Sequence, residues 1–250
     1  MEGTLYEKKI REHACDGISN IVIFDSIDST NSYGKNYLLE GNPSPAIILA
    51  EKQTDGRGRC GRDFYSPRGS GLYMSILYTR DNYSDDALFS TVASSVACAL
   101  AIEELSGRPV QIKWVNDLYM DGKKAGGILC ESVFTGGKMG VVIGIGINVS
   151  TTEFPKFGNN VPTCTGELDR NALAGKIYAY FISLASEREK CLAEYRKRFY
   201  LKDKEILIYR ANGSTEPAVA RRVDDNGGLI VEIDGKCEII RTGEVTIREK

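Results

Sequence analysis

From Val110 to Val149, and again from Glu205 on, short apolar runs alternate with glycine-bearing turn pairs, and this punctuation restricts the fold more than any other feature of the chain. Asp121-Gly122 and Gly136-Gly137 separate strand-like segments at Val110–Lys113, Lys124–Phe134 and Gly140–Val149. Such pairs accept positive φ at little cost, the geometry that turns one strand back beside the next. Ile21–Phe24, Ala46–Ala50 and Leu72–Tyr78 add strand candidates upstream, so a mixed, largely antiparallel sheet is expected. Asp28-Ser29-Thr30 supplies the caps for a helix through Leu39. Asp85–Leu105 places Leu88, Val92, Val96 and Leu100 at helical spacing, with Gly107 as the stop. A second long helix is predicted from about Asp169 to Phe199, with Leu173, Ile177, Phe181 and Leu184 on one stripe and Leu192, Tyr195 and Phe199 beyond. From Glu205 on, strands at Ile206–Tyr209, Ala218–Val223, Leu229–Ile233 and Glu238–Ile240, split by Asn226-Gly227-Gly228 and Asp234-Gly235, read as a small barrel. The expectation is an α+β fold with a main domain at 1–202 and a small C-terminal β domain at 203–250.

A chain of 250 residues, 42% hydrophobic and 26% charged, can bury a substantial core. Its net charge of -2 provides no global field for nucleic acid or anionic lipid, so any cationic site is local. Seven cysteines lie singly, with no C-x-x-C pair, which fits a reducing compartment rather than a disulfide framework. The polar start, Met1–Asn20, has no apolar leader core, and no charge-free stretch reaches membrane-spanning length. A cytoplasmic protein is expected. His13 is the one histidine and reads as a surface residue, so catalysis must rest on Lys, Arg, Asp, Asn and backbone groups. That set suits carboxylates and phosphates.

Lys52–Gly71 has no apolar period and contains Gln53-Thr54-Asp55-Gly56-Arg57-Gly58-Arg59-Cys60-Gly61-Arg62. The glycines allow close backbone approach to a ligand, and the arginines supply forked cations. Gly56, Gly58 and Gly61 match G-x-G-x-x-G, but Pro67, Gly69 and Gly71 follow where a dinucleotide fold needs a helix, and there is no P-loop. By itself the loop is equally a solvated arginine-glycine segment. Arginines beside Cys60 could lower its pKa, although an inert loop thiol is the simpler reading.

Three further motifs accompany the loop: Lys113-Trp114-Val115-Asn116-Asp117, Lys124-Ala125-Gly126-Gly127-Ile128-Leu129 and Gly144-Ile145-Gly146-Ile147-Asn148-Val149, with Ser29-Thr30-Asn31 upstream. In this order they resemble the biotin protein ligases over about residues 25–150. The resemblance implies a biotin/lipoate ligase catalytic domain, like that of class II aminoacyl-tRNA synthetases, followed by an SH3-like barrel. Bifunctional relatives carry an N-terminal winged helix, for which some twenty residues are too few, so the monofunctional form is expected. One departure is Val115, where the family usually has proline; the extended backbone should persist but with less constraint.

The implied reaction converts biotin and ATP to biotinyl-AMP, with Mg2+ accompanying ATP, and then transfers biotin to a lysine of a biotin carboxyl carrier protein. Bringing two anions together demands cations and N–H groups. The resemblance assigns Ser29, Thr30, Asn31, Gln53, Gly56, Arg57, Gly58, Arg59, Lys124, Gly126 and Gly127 to biotin or its adenylate. Arg57, Arg59, Arg62, Phe64, Lys113, Asn116 and Asn148 would face ATP, with Phe64 on the adenine. Lys124, Asp117, Arg59 and Lys113 are the catalytic candidates, Asp117 as the group that orients or deprotonates the acceptor amine. Taken singly, Ser29-Thr30-Asn31 would be a helix cap, Lys124 a solvated edge lysine and Asp117 a turn former. The glycine-arginine loop should be mobile without ligand and close over the adenylate. A lipoate or octanoate ligase of the same fold, a non-catalytic biotin-binding module and a nucleic-acid binder built on the loop are the alternatives, and no nucleic-acid or membrane partner is expected. Homodimerisation through an exposed sheet edge stays open.

Overall fold

The computed structural model describes residues 4–80, 87–135, 137–154, 163–210, 213–241 and 245–249. Two sheets organise them. Seven strands, β1 (Asn20–Phe24), β2 (Ala46–Ala50), β3 (Gly71–Arg80), β4 (Gln111–Lys113), β5 (Asp117–Met120), β6 (Lys123–Thr135) and β7 (Lys138–Asn148), lie in the order β1-β2-β3-β7-β6-β5-β4. Only β1 and β2 run parallel, joined by helix α2 (Thr30–Leu39), and every other pair is antiparallel. Five strands, β8 (Glu205–Arg210), β9 (Thr215–Val223), β10 (Leu229–Ile233), β11 (Lys236–Ile240) and β12 (Val245–Glu249), form the second sheet in the order β11-β10-β9-β8-β12.

Strand alternation decides which layer covers which face. Leu72, Met74 and Ile76 of β3 and Ile143, Ile145 and Ile147 of β7 point into the main core. There they meet α3 (Ala87–Ser106), α4 (Arg170–Ala185) and α5 (Arg188–Lys197). Alternate residues, Leu77 and Val142 among them, face the other way and bury α2. That helix comes close because Gly34 offers no side chain; a Cβ there would stand 2.6 Å from Leu77. The rest of this second face, which no helix among the described residues covers, becomes the floor of a cavity.

Leu88–Ser106 is long and apolar enough to cross a membrane by length and composition alone, but 78% of that stretch is buried within the protein, as befits a core helix. The hairpin reading of Asp121-Gly122 is matched by φ values of 50° and 72°. Asp85, Asp86 and Gly136, which belong to the expected α3 start and second hairpin, lie outside the described residues. His13 is exposed, at the end of a short helix α1 (Glu7–His13) that the polar N-terminal sequence did not announce.

The expected second helix is two helices. Ser186 (φ -97°, ψ -10°) is the last residue near right-handed helical geometry, and Glu187 (φ -117°, ψ 62°) leaves it. There Ser186 Oγ donates to Ser183 O and Ser183 Oγ to the Glu187 carboxylate, local bonds that replace the helical ladder. Phe199 falls outside α5 and bridges to Ile112, covering the β4 edge. Strands β5 and β12 were not separated in the sequence pattern; β5 is four residues hidden between a motif and a turn, and β12 pairs with β8. Val115 is held tightly rather than loosely, because its carbonyl accepts from Ser95 Oγ at 3.1 Å and Tyr195 OH at 3.2 Å.

Candidate active site

Three glycines make the cavity. Gly127 faces Gly146 across β6 and β7, Leu129 faces Gly144, and Ser75 and Tyr73 of β3 flank the same positions. Each missing side chain is replaced by a group arriving from elsewhere. A Cβ on Gly144 would meet Asn31 Oδ1 at 2.3 Å, one on Gly146 the Phe64 ring at 2.6 Å, and one on Gly127 Lys124 Nζ at 3.3 Å. The enclosed volume is about 580 Å³, the size of a small-molecule site.

One end is neutral and polar. Ser75, fully buried, donates toward Thr30 Oγ1 at 2.8 Å and Asn31 Oδ1 at 2.7 Å. The Asn31 amide nitrogen is spent on Glu131 Oε2 (2.9 Å) and Leu129 O (3.2 Å), and Lys35 closes the group with an ion pair to Glu131 at 2.5 Å. Gln53 Oε1 accepts from the Thr30 N–H and hydroxyl, while its amide nitrogen donates to Ser66 Oγ. Ser29 caps α2 by accepting from the Ser32 N–H at 3.5 Å.

The other end is cationic. Lys124 Nζ lies 2.6 Å from Asp117 Oδ1, and Arg59 Nη1 donates to Asn116 Oδ1 at 3.0 Å. Asn116 presents that oxygen because its nitrogen is committed to Ile128 O at 2.8 Å. Lys113 reaches Tyr119 OH at 3.4 Å. Arg57 sits at the mouth, where hydrogen bonds from its guanidinium to Asp55 push its pKa up. Burial pushes the Tyr195 phenol well above its ordinary value, with the Asp117 charge adding to the effect, so that hydroxyl is a permanent donor beneath the cationic end.

Every site residue expected from the sequence lines this cavity except Gly56 and Gly126. Gly56 serves the loop itself: a Cβ would stand 2.4 Å from Phe64 O and 2.6 Å from Ser66 Oγ. Gly126 lies one residue out of phase with Gly127, on the other face of the strand, where a Cβ would meet Gly146 O at 2.6 Å. Phe64 packs on Gly146, so Gly144 and Gly146 admit protein side chains. Asn148 turns its amide to Thr163 O at 3.3 Å and so anchors the segment after β7. The side chain of Cys60 lies outside the described residues.

Sequence reasoning missed Ser75 and Glu131, which fix Asn31, and the lining residues Tyr65, Tyr119, Phe154 and Ile247. Tyr65 and Phe154 meet edge to face, with centroids 6.4 Å apart, and join two loops at the rim. Ile247 comes from the second sheet, which is also tied to the site by the Trp114 Nε1–Gly227 O bond of 2.9 Å.

Residues 23–148, which hold the cavity floor and both of its ends, match the model of the biotin/lipoate A/B protein ligase family. The chain belongs to this family. Over 248 residues this ligase-family chain is 32% identical to the bifunctional ligase/repressor BirA of Salmonella typhimurium, spanning 95% of the chain and 77% of that protein. It is 26% identical over 258 residues to the biotin--[acetyl-CoA-carboxylase] ligase of Mycobacterium tuberculosis, covering 96% and 95% of the two. In fold it superposes on the Aquifex aeolicus biotin protein ligase solved with biotin and ATP, with a TM-score of 0.78 over 93% of this chain and all of that one, at 24% identity. That likeness bears out the α+β fold expected from the sequence.

Proposed function

We propose that the protein is a biotin ligase: it activates biotin with ATP to biotinyl-AMP, releases pyrophosphate, and transfers biotin to a lysine of a biotin carboxyl carrier protein. The observation that carries this reading is that one cavity joins a neutral polar end to a cationic end. A urea has one carbonyl acceptor and two N–H donors. Ser29, whose oxygen accepts from a backbone N–H, keeps its proton to donate, and Asn31, whose nitrogen is spent, offers only its oxygen. A carboxylate at the other end of the ligand would meet Arg59 and Lys124, which lower the cost of bringing it to the ATP α-phosphate. Lys113 and Arg62 would take the remaining phosphate charge.

Once the mixed anhydride forms, the acceptor amine must attack uncharged. Lys124 occupies Asp117 Oδ1, and the second carboxylate oxygen is the one an incoming amine can meet. Replacing Asp117 with Asn should slow transfer more than adenylate formation; equal slowing in single-turnover assays would remove that role. Among the described residues no cluster of three His, Cys, Asp or Glu side chains is placed to hold a metal, and the lining carboxylates are Asp63 and Asp117. Magnesium would arrive bound to ATP, because the phosphates and the departing pyrophosphate need their charge screened. We assign residues 1–202 to the catalytic domain and 203–250 to an SH3-like domain that closes one wall through Ile247. The free thiols of Cys15, Cys98, Cys130, Cys164, Cys191 and Cys237 support a reducing, cytoplasmic setting.

The test is isotope exchange between pyrophosphate and ATP. Exchange should require biotin and ignore lipoate, whereas exchange with lipoate alone would move the activity to the lipoate branch of the family.

A further inference from the structure

Lys113 ends β4, Asp117 begins β5, and Trp114 and Asn116 lie in the turn between them, so the cationic end is only as exact as that turn is fixed. Its centre, Val115, is 1% exposed and turns its carbonyl toward α3 and α5. Two hydroxyls meet that oxygen: Ser95 Oγ from α3 at 3.1 Å and Tyr195 OH from α5 at 3.2 Å. Both residues are fully buried. Ser95 has a single proton and divides it, since its oxygen also lies 2.8 Å from Thr91 O. Tyr195 has no second acceptor among the described residues and gives its proton to Val115. A tyrosine at this position where phenylalanine would fill the same space implies a use for the hydroxyl.

The neighbours of Val115 show what that use is. Asn116 exchanges backbone and side-chain bonds with Ile128 and hands its oxygen to Arg59, and Asp117 holds Lys124. A shift at the Val115 carbonyl therefore moves both cations at once. We propose that Tyr195 is a positioning residue for carboxylate activation: its bond from α5 to the Val115 carbonyl holds the turn that presents Arg59 through Asn116 and Lys124 through Asp117. The inference rests on the ligase reading above and extends it to a residue outside the cavity and outside every motif that resembles the family.

The experiment uses the full chain and Tyr195→Phe, which keeps the ring and leaves Ser95 on the carbonyl, so the core remains filled. The expected result is an adenylation rate about ten-fold lower in single turnover, because small displacements of oriented groups cost rate steeply. The thermal midpoint should fall by no more than the loss of one buried neutral hydrogen bond allows, and the dissociation constant for biotin, whose carboxylate meets the same two cations, should rise less than the adenylation rate falls. A second readout needs no substrate: the Ile128 amide, which donates to Asn116 O at 2.9 Å, should exchange its hydrogen faster in the free variant. Ser95→Ala combined with Tyr195→Phe should slow adenylation further. A Tyr195→Phe rate within two-fold of wild type, unchanged Ile128 exchange, or a rate loss that merely tracks loss of folded protein would each overturn the positioning role. A wild type that releases no pyrophosphate with biotin would instead overturn the ligase reading on which the proposal stands, and the two failures are told apart by that control.

Discussion

Gly144→Ala is the sharpest perturbation of the cavity floor. The added methyl would stand 2.3 Å from Asn31 Oδ1, 2.7 Å from its Cγ and 2.8 Å from its Nδ2. The strand has little freedom to yield, because Gly144 is paired on both sides, to Ser75 and to Leu129. Asn31 must therefore move. It is 5% exposed, and displacement forfeits its bond to the Glu131 carboxylate at 2.9 Å and the one from Ser75 at 2.7 Å. A buried hydrogen bond to a charged group contributes about 1.5–3 kcal/mol and a neutral one about 1 kcal/mol, so the loss should be about 2.5–4 kcal/mol. Urea unfolding of wild type, Asn31→Ala, Gly144→Ala and the double variant measures this directly. If the clash is the cause, removing Asn31 first makes the methyl nearly harmless, and the double variant should be little worse than Asn31→Ala. Losses that simply add, or a Gly144→Ala protein as stable as wild type, would refute the reasoning. Biotin affinity should fall with Gly144→Ala as well, since the only oxygen Asn31 can offer a ligand is the atom displaced.

Other expectations follow from the same geometry. Arg170→Met should lower stability by about 3–5 kcal/mol in denaturant, because Glu51, 8% exposed and 2.7 Å from Arg170, is left as a buried charge. Asp169 caps α4: burial pushes its carboxyl up, but bonds from the Asn171 backbone and side chain and from Ala172 outweigh this and hold it below the usual range. Its contribution is therefore present at neutral pH and lost as pH falls through the depressed value; Asp169→Ala should cost about 1 kcal/mol at pH 7 and nothing once the carboxyl is protonated, read by thermal unfolding against pH. The tip of the arginine loop, where Arg57 is more than half exposed, should become protected from trypsin when biotin and ATP are both present, and unchanged cleavage would argue against its closing over the adenylate.

Local chemistry was legible where one short segment determines its own geometry. Asp121-Gly122 turns because of its own dihedral freedom, and Ser29 caps α2 from one residue away. The cationic residues were found because they cluster in motifs. What could not be read were partners supplied by tertiary structure. Ser75 looks like any strand serine until α2 is laid across it, and Glu131 like any exposed acid until Asn31 arrives from a hundred residues away. Ile247 reaches the cavity only because the second sheet docks through Gly227 and Trp114. The break at Ser186 was hidden because the apolar stripe continues through it, while the hydroxyl and carboxylate bonds that end α4 leave no periodic signature. Gly126 and Gly127 are adjacent in sequence, yet only their strand phase tells that one faces the cavity and the other the core.

The most direct test of the central claim is the mass of a biotin carrier domain incubated with the protein, biotin and ATP. The account predicts a gain equal to one biotinyl group on a single lysine, abolished by omitting ATP and by Lys124→Gln. A carrier of unchanged mass in the presence of both substrates, or a gain that survives without ATP, would contradict it.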